Sequence, residues 1–314
     1  MSRAAQLTIA IPYYSHRDFL VEAIDSVLAQ TSEDWELLVV DDLGPEPAED
    51  LVAEYDDPRI RYVRNEVNLG LAGNWNECVR LARTPWVTLL HADDRLLPEY
   101  AARVLAATEK VTADVSVIFT DASIIDESGR PTTTAADLAK RFARRLAHDH
   151  PLRGDHDLAP LLAANYIICP TMCLRRDLLG EAPFRASWRF VPDWDLTVRE
   201  LLAGRQLYSV RTALLEYRRH AKQQTSLLTE DSSRFVEEFA FLDEMGARAA
   251  ELGWTRSAHA AHRRISTRGH VAMYVVLDLL KGRFAAAREK SRLLADDLRA
   301  GRRRRLGADS GLGA

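Results

Sequence analysis

Two pairs of adjacent aspartates occupy comparable places in the first hundred residues. Asp41-Asp42 follows Trp35-Glu36-Leu37-Leu38-Val39-Val40, and Asp93-Asp94 follows Trp86-Val87-Thr88-Leu89-Leu90-His91-Ala92. Both preceding runs have strand character, and strand C-terminal ends are where alternating α/β chains bind ligands. At such an end one carboxylate can hold Mg²⁺ or Mn²⁺ while its neighbour accepts a hydrogen bond from a ribose hydroxyl. Aspartate also starts turns, and Leu43-Gly44-Pro45 and Pro98 keep that plainer reading open for each pair. Two pairs in the same topological position reinforce each other.

The elements that must position them follow from periodicity. Leu7 to Ile11 reads as a strand, Ser15-His16-Arg17-Asp18 as an S-x-x-D helix start, and Phe19, Leu20, Ala23, Ile24, Val27 and Leu28 recur at helical spacing. The same reading predicts strands over 35–40, 60–64, 86–90 and 115–120, an acidic helix over 47–55, a helix over 71–83 and one from Pro98. Alternation of this kind implies an α/β fold: a mostly parallel, twisted sheet with helices on both faces. Beyond Thr120, Asp126 to Pro131 reads as a turn, and 136–165 as helical with a loop around His148 to Asp157. From Ser232 to Arg305 the chain is rich in Ala, Leu, Arg and Glu without proline, which predicts two or three appended helices; Gly307 to Ala314 is expected to fray.

At 314 residues the chain exceeds the usual single core, and 47% hydrophobic with 28% charged residues is a globular balance. A formal net charge of −4 gives no global reason to expect nucleic acid. Cys78, Cys169 and Cys173 lack C-x-x-C spacing, which argues against a disulfide framework or structural zinc and for a reducing, cytoplasmic compartment. The first residues lack a signal-peptide core, and no stretch approaches ~18 apolar residues. The Arg302 to Arg305 run reads either as a solvated helix end or as a peripheral contact with anionic lipid on the inner face of the membrane.

As an ordered set, Ile9-Ala10-Ile11-Pro12-Tyr13-Tyr14, Ser26 to Thr31, Val39-Val40-Asp41-Asp42, Asn68-Leu69-Gly70 and His91-Ala92-Asp93-Asp94 resemble a family 2 glycosyltransferase of the GT-A fold over most of residues 6 to 125. The resemblance implies a nucleotide-sugar-binding half over 1–125, an acceptor and catalytic half of the same domain over 126–231, and a helical extension over 232–314. Tyr14 then corresponds to the aromatic residue against the base, Asp42 to the carboxylate that binds it, Asp93 to the ribose ligand and Asp94 to the metal ligand. Pro12 would occupy the turn by which backbone approaches the nucleotide. Tyr14 has core packing as its alternative.

Further along, Asp193 in Phe190-Val191-Pro192-Asp193-Trp194-Asp195 aligns with the family's general base, although Pro192 replaces the common glutamate. Asp193 as an N-cap and Asp195 as a first-turn acid are the structural alternatives. Tyr217-Arg218-Arg219-His220 resembles the family's Arg-x-His segment, where a loop can close over the pyrophosphate. His220 suits a metal or phosphate contact and Arg219 the diphosphate, against the alternative of an exposed basic loop. Asn165 to Cys173 resembles a lining of the donor sugar and acceptor site and equally fits a buried strand, while Asn68 to Asn76 reads as capping and packing. The resemblance implies Mg²⁺ or Mn²⁺, a nucleoside diphosphate sugar donor leaning to uridine, inversion at the anomeric carbon, and a hydroxyl acceptor on a glycan, a lipid-linked sugar or a small molecule. A noncatalytic nucleotide-sugar or glycan-binding protein on this fold is the rival from another class. A sugar-phosphate nucleotidylyltransferase is disfavoured because Pro12-Tyr13-Tyr14 stands where that chemistry prefers glycines.

Overall fold

The computed structural model describes residues 5–132, 149–220, 228–229 and 232–310, the side chains of 302–310 excepted. The helix expected over 136–148, the segment 221–227, the arginine side chains of 302–305 and the last four residues lie outside the described residues. In chain order come β1 (Leu7–Tyr13), α1 (Arg17–Leu28), β2 (Trp35–Asp41), α2 (Glu49–Ala53), β3 (Ile60–Arg64), α3 (Gly70–Leu81), β4 (Trp86–Leu89), β5 (Arg95–Leu96), α4 (Tyr100–Thr108), β6 (Val115–Asp126) and β7 (His150–Leu152). They are followed by α5 (Gly154–Ala163), β8 (Met172–Arg175), α6 (Arg176–Leu179), α7 (Pro192–Leu202), β9 (Gln206–Arg219), α8 (Ser233–Glu251), α9 (Thr255–Arg263), α10 (Ile265–Leu280) and α11 (Phe284–Ser310). Two compact units result: Met1–Arg153 with Tyr166–Trp188 and Pro192–His220, and Gly154–Asn165 with Arg189–Val191 and Ala221–Ala314.

The first unit holds one sheet in the order β3-β2-β1-β4-β8-β6-β9-β5, with β7 on β9. Strands β3, β2, β1 and β4 are parallel, as the alternation predicts. Beyond them the sheet is mixed: β8 is antiparallel to β4 and β6, while β9 is parallel to β6 and antiparallel to β5 and β7. The antiparallel partners β5, β7 and β8 have two to four residues, too few to show a period in sequence. Leu7, Ile9, Ile11 and Tyr13 alternate onto one face of β1 and pack with Leu20, Ile24 and Val27 of α1 and Leu37 and Val39 of β2, all buried. Burying each such aliphatic side chain contributes about 1.5–3 kcal/mol, which fixes the strand ends that carry the aspartates.

Three local expectations change. Ser15 does not cap α1: His16 takes the N-cap position in the left-handed region (φ 71°) without a side-chain cap bond, and its N–H donates to the Glu46 carboxylate at 3.3 Å. Pro12 lies inside β1 rather than in a turn. The Ala10 carbonyl accepts from Leu90 N–H, so Pro12, two residues on, faces the same edge beyond the end of β4, where its missing N–H breaks no ladder bond. β6 runs through the stretch read as polar to Asp126 because β9 pairs along it as far as Asp126 and Arg219. The turn after it forms as expected, with Gly129 N–H on the Asp126 carbonyl.

The second unit is helical. Segment 154–165, read from sequence as part of the acceptor half, belongs here because the Asp155 carboxylate accepts Arg256 and Ser257 N–H at 3.1 and 2.7 Å and so caps α9. Four helices, α8 to α11, replace the two or three expected. Gly253 (φ 73°) and Gly282 (φ 70°) end α8 and α10, and Arg264 (φ 49°) divides α9 from α10. Arginine carries no breaker signal; here its buried guanidinium is held by Asp243 and Asp297, which stabilises the left-handed backbone. α11 continues to Ser310, past the glycine where fraying was expected. Phe235, Phe239 and Val271 form a small apolar core.

The turn after β2 has the tightest steric requirement of the described glycines. Leu43 is left-handed (φ 55°), and a Cβ on Gly44 would stand 1.7 Å from the Tyr14 carbonyl oxygen. Gly44→Ala is therefore expected to lower stability by about 2 kcal/mol or more, read as a reduced urea midpoint. An unchanged midpoint would show that this loop has room to move.

Candidate active site

Asp94 is fully buried just beyond β4. Its Oδ1 accepts the Arg218 N–H at 2.8 Å, whereas Oδ2 has no hydrogen-bond partner and lies 3.9 Å from His91 Nδ1. Burial, reinforced by the adjacent Asp93 charge, holds the Asp94 carboxyl well above the usual carboxylate range against the opposing pull of Arg218. Burial also lowers the His91 pKa, Asp93 opposing, and so keeps the imidazole in its ligating form. The His91 ring stacks on Trp75 at 5.2 Å, and its Nε2 is unpartnered. One ligand atom each from His91, Asp93 and Asp94 falls within 4.8 Å of the others. Two carboxylates and an imidazole, with a buried carboxylate oxygen lacking any donor, fit a divalent cation such as Mg²⁺ or Mn²⁺.

His220 is placed differently from the sequence reading. Its Nε2 lies 3.0 Å from Asp93 Oδ2, and its ring packs 5.3 Å from Phe19. The residue follows the end of β9, whose register carries it to Asp93 rather than to Asp94. Arg218, read from sequence as the start of a loop that closes over the pyrophosphate, is buried in β9, which also removes the alternative of an exposed basic loop at this residue. Its Nε donates to the Asp93 carbonyl at 2.8 Å and Nη1 to the Glu127 carbonyl at 3.0 Å, while Nη2 pairs with the Glu22 carboxylate. The guanidinium also covers the Phe19 ring at 4.7 Å.

Asp193 is the second residue of α7, after buried Pro192 at the first position, so it acts from within the helix rather than as its N-cap. Its Oδ1 accepts the Trp194 N–H at 2.8 Å. Asp195 is a structural acid: it is fully buried, paired with Arg185, and accepts Arg199 Nε at 2.7 Å. Burial pushes the Tyr217 phenol upward, with Asp94, Asp93 and Asp193 acting the same way and Arg219 opposing. Asp94 and Asp193 likewise raise the buried Cys169 thiol, after burial itself. Tyr217 and Cys169 thus sense both carboxylates from sheet and helix, which brings Asp93, Asp94, Asp193 and Arg219 into one electrostatic neighbourhood. All three cysteines are free and buried.

At the end of β1, Tyr14 is 51% exposed, which removes the core-packing alternative, while Tyr13 is the buried partner whose hydroxyl donates to the Glu46 carbonyl at 2.6 Å. Asp42 is 4% exposed. Its carboxylate accepts Leu69 N–H at 2.7 Å, Gly70 N–H at 2.9 Å and Asn65 Nδ2 at 3.0 Å, and so caps α3 from another element. Asp41 is occupied too, by Gly44 N–H at 3.0 Å and the Tyr62 hydroxyl at 2.5 Å. Asn68 to Asn76 does what capping and packing require: Asn76 brackets the Phe184 backbone at 2.8 and 2.9 Å. Sequence reasoning missed His91 and Glu22. The H-x-D spacing of His91 and Asp93 was available as a signal; Glu22, on an ordinary helix face, had none.

Groups that could hold a metal ion lie beyond the C-terminal end of a parallel strand, where α/β folds bind ligands. Residues 8–180 match the family model described as glycosyl transferase family 2, and the chain belongs to that family. It is 29% identical over 140 residues to the succinoglycan biosynthesis protein ExoO of Rhizobium meliloti, covering 45% of this chain and 40% of that one. It is 26% identical over 215 residues to the putative teichuronic acid biosynthesis glycosyltransferase TuaG of Bacillus subtilis, covering 68% of this chain and 78% of that one. The chain spans less than half the length of the first curated relatives it matches. Its fold is similar to S. aureus TarS 1–349 crystallised with UDP-GlcNAc, with a TM-score of 0.61 at 15% identity over 94% of this chain and 92% of that one.

Because the Asp94 carboxyl is raised in the folded state, its contribution to stability is present below the ordinary carboxylate range and is lost as pH rises toward the raised value. Asp94→Asn keeps an acceptor for the Arg218 N–H. In chelator it is expected to raise Tm at pH 8 more than at pH 5, and to abolish any Mn²⁺-dependent stabilisation. Equal Mn²⁺ shifts in both proteins would remove Asp94 from the cation site.

Proposed function

We propose that the chain is an inverting glycosyltransferase that moves a sugar from a UDP-linked donor to an acceptor hydroxyl in surface or extracellular polysaccharide assembly. The carrying observation is the buried, unpartnered Asp94 oxygen beside His91 and Asp93, in the same electrostatic neighbourhood as Asp193 and Arg219. The uridine donor is supported by the UDP-GlcNAc bound to TarS, and the acceptor class by the names of ExoO and TuaG.

In this reading Tyr14 lies against the base, and Asp42 works by holding the Asn68 to Gly70 loop rather than by reaching the base itself. Asp93, oriented by His220, receives the ribose or the cation, and Asp94 and His91 complete the cation site. A bound Mg²⁺ or Mn²⁺ there would offset charge on the diphosphate. Arg219 adds a fixed cation for the same charge. Asp193 accepts the proton of the acceptor hydroxyl as that oxygen bonds to the anomeric carbon. The bond from that carbon to the diphosphate oxygen breaks on the opposite face, and nucleoside diphosphate leaves.

The test has two arms. Thermal shift with UDP, dTDP and GDP, each with Mn²⁺ or chelator, is expected to show stabilisation by UDP only with the metal. Asp193→Asn is expected to retain that shift while losing transfer by about 100-fold or more. Normal turnover by Asp193→Asn with a dead Asp195→Asn would reverse the roles, and binding without turnover by the wild type would favour a noncatalytic protein.

A further inference from the structure

The hairpin formed by α10 and α11 presents one set of its apolar residues outward. Met273, Val276, Leu277 and Leu280 recur at helical spacing on one face of α10 and are exposed, Leu280 to 79%, and Phe284 at the start of α11 is 70% exposed. The inward face of the same helix carries buried Val271 and Asp278. Scattered exposed leucines need no explanation, but a continuous stripe that culminates at a turn does.

The turn itself is closed by two backbone hydrogen bonds. Gly282 N–H donates to the Leu279 carbonyl and Arg283 N–H to the Asp278 carbonyl, the paired bonds of a Schellman motif with glycine in its left-handed position. Such motifs usually close with an apolar contact between the residue after the glycine and the third residue before the cap. At the end of α8 those positions hold Trp254 and Ala249, whereas here they hold Arg283 and Asp278. Asp278 is paired with buried Lys290 at 3.0 Å, which braces the two helices together. The apolar residues at the tip therefore contribute nothing to closing the turn.

Charge decides what they fit. From Met273 to Arg292 the exposed charged residues are Lys281, Arg283, Arg288 and Arg292 against Glu289. An apolar tip rimmed by cations is complementary to an anionic lipid surface, where the side chains enter the acyl boundary and the cations meet phosphates. A two-fold contact between copies through this tip would instead gather Lys281 and Arg283 of both copies around one contact, like charge with like. An apolar groove of about 260 Å³ between the same helices, lined by Ala272, Val275, Leu294 and Leu298, extends the lipid-compatible surface. No helix among the described residues is long and apolar enough to cross a membrane, so the contact is interfacial.

We propose that the α10–α11 tip is a lipid-insertion element that docks the chain on anionic bilayers, whatever the donor chemistry of the sheet unit. The experiment is vesicle flotation of the full chain with phosphatidylcholine alone or mixed with phosphatidylglycerol. Binding to the mixed vesicles that weakens with salt is expected. Leu280→Ser with Phe284→Ser should weaken it by at least about 30-fold, because two exposed side chains lose their burial in lipid. Lys281→Gln with Arg283→Gln should weaken it roughly 20- to 30-fold at low salt. Both double variants should keep the wild-type unfolding midpoint, since none of the four side chains is buried. Absence of vesicle binding, equal binding to neutral and anionic vesicles, or equal binding by the serine variant would overturn the proposal. So would a concentration-dependent dimer that the serine variant abolishes, which would assign the tip to a second copy.

Discussion

The guanidinium of Arg218 is the interaction on which the sheet unit depends. It joins Glu22 on α1, the Asp93 carbonyl after β4 and the Glu127 carbonyl after β6, while its own N–H holds Asp94. A buried cation is tolerated only when its donors find partners, and these partners come from three separate stretches of chain. The arrangement fixes the position of Asp94 from the backbone side and leaves the other oxygen facing His91. Arginine suits this task through its rigid fork of donors, which a lysine ammonium would not reproduce.

The consequence for the site is an uneven electrostatic balance. Asp41, Asp42 and Asp195 are buried carboxylates whose oxygens are met by N–H, hydroxyl or guanidinium donors. Asp94 is buried without that satisfaction on Oδ2. The first three support the fold, and the fourth keeps one oxygen without a donor. The contrast separates Asp94 from the three satisfied acids more clearly than burial, which they share.

Much of this was legible in sequence where a period or a glycine carries it. The first four strands and the helices between them follow from alternation, whereas core packing and exposure of Tyr14 both remained open. Side-chain commitments were not legible. Nothing local distinguishes Asp42, occupied by the start of α3, from Asp94, whose environment is made by a strand more than a hundred residues later. His220 reads as a loop ligand because its partner Asp93 is remote in sequence, and the break at Arg264 is invisible because ion pairs, rather than backbone propensity, stabilise it. The reading of a mostly parallel sheet stops where strands become shorter than a detectable period.

The position of β9 bears on how the molecule is made. It is the last strand among the described residues, yet it lies between β6 and β5 and also pairs with β7. During synthesis β3, β2, β1 and β4 can pair as soon as they emerge, since their partners lie within the first ninety residues. β6 can join β4 through β8 once residues 172–175 are made, but its other edge, with β5 and β7, must wait for residues 206–219. Long-range parallel pairing of β6 with β9 is intrinsically slow. Asp94 therefore emerges from the ribosome long before the strand that holds it, and a nascent chain that has folded its first half does not yet possess the Arg218 contacts around the candidate site.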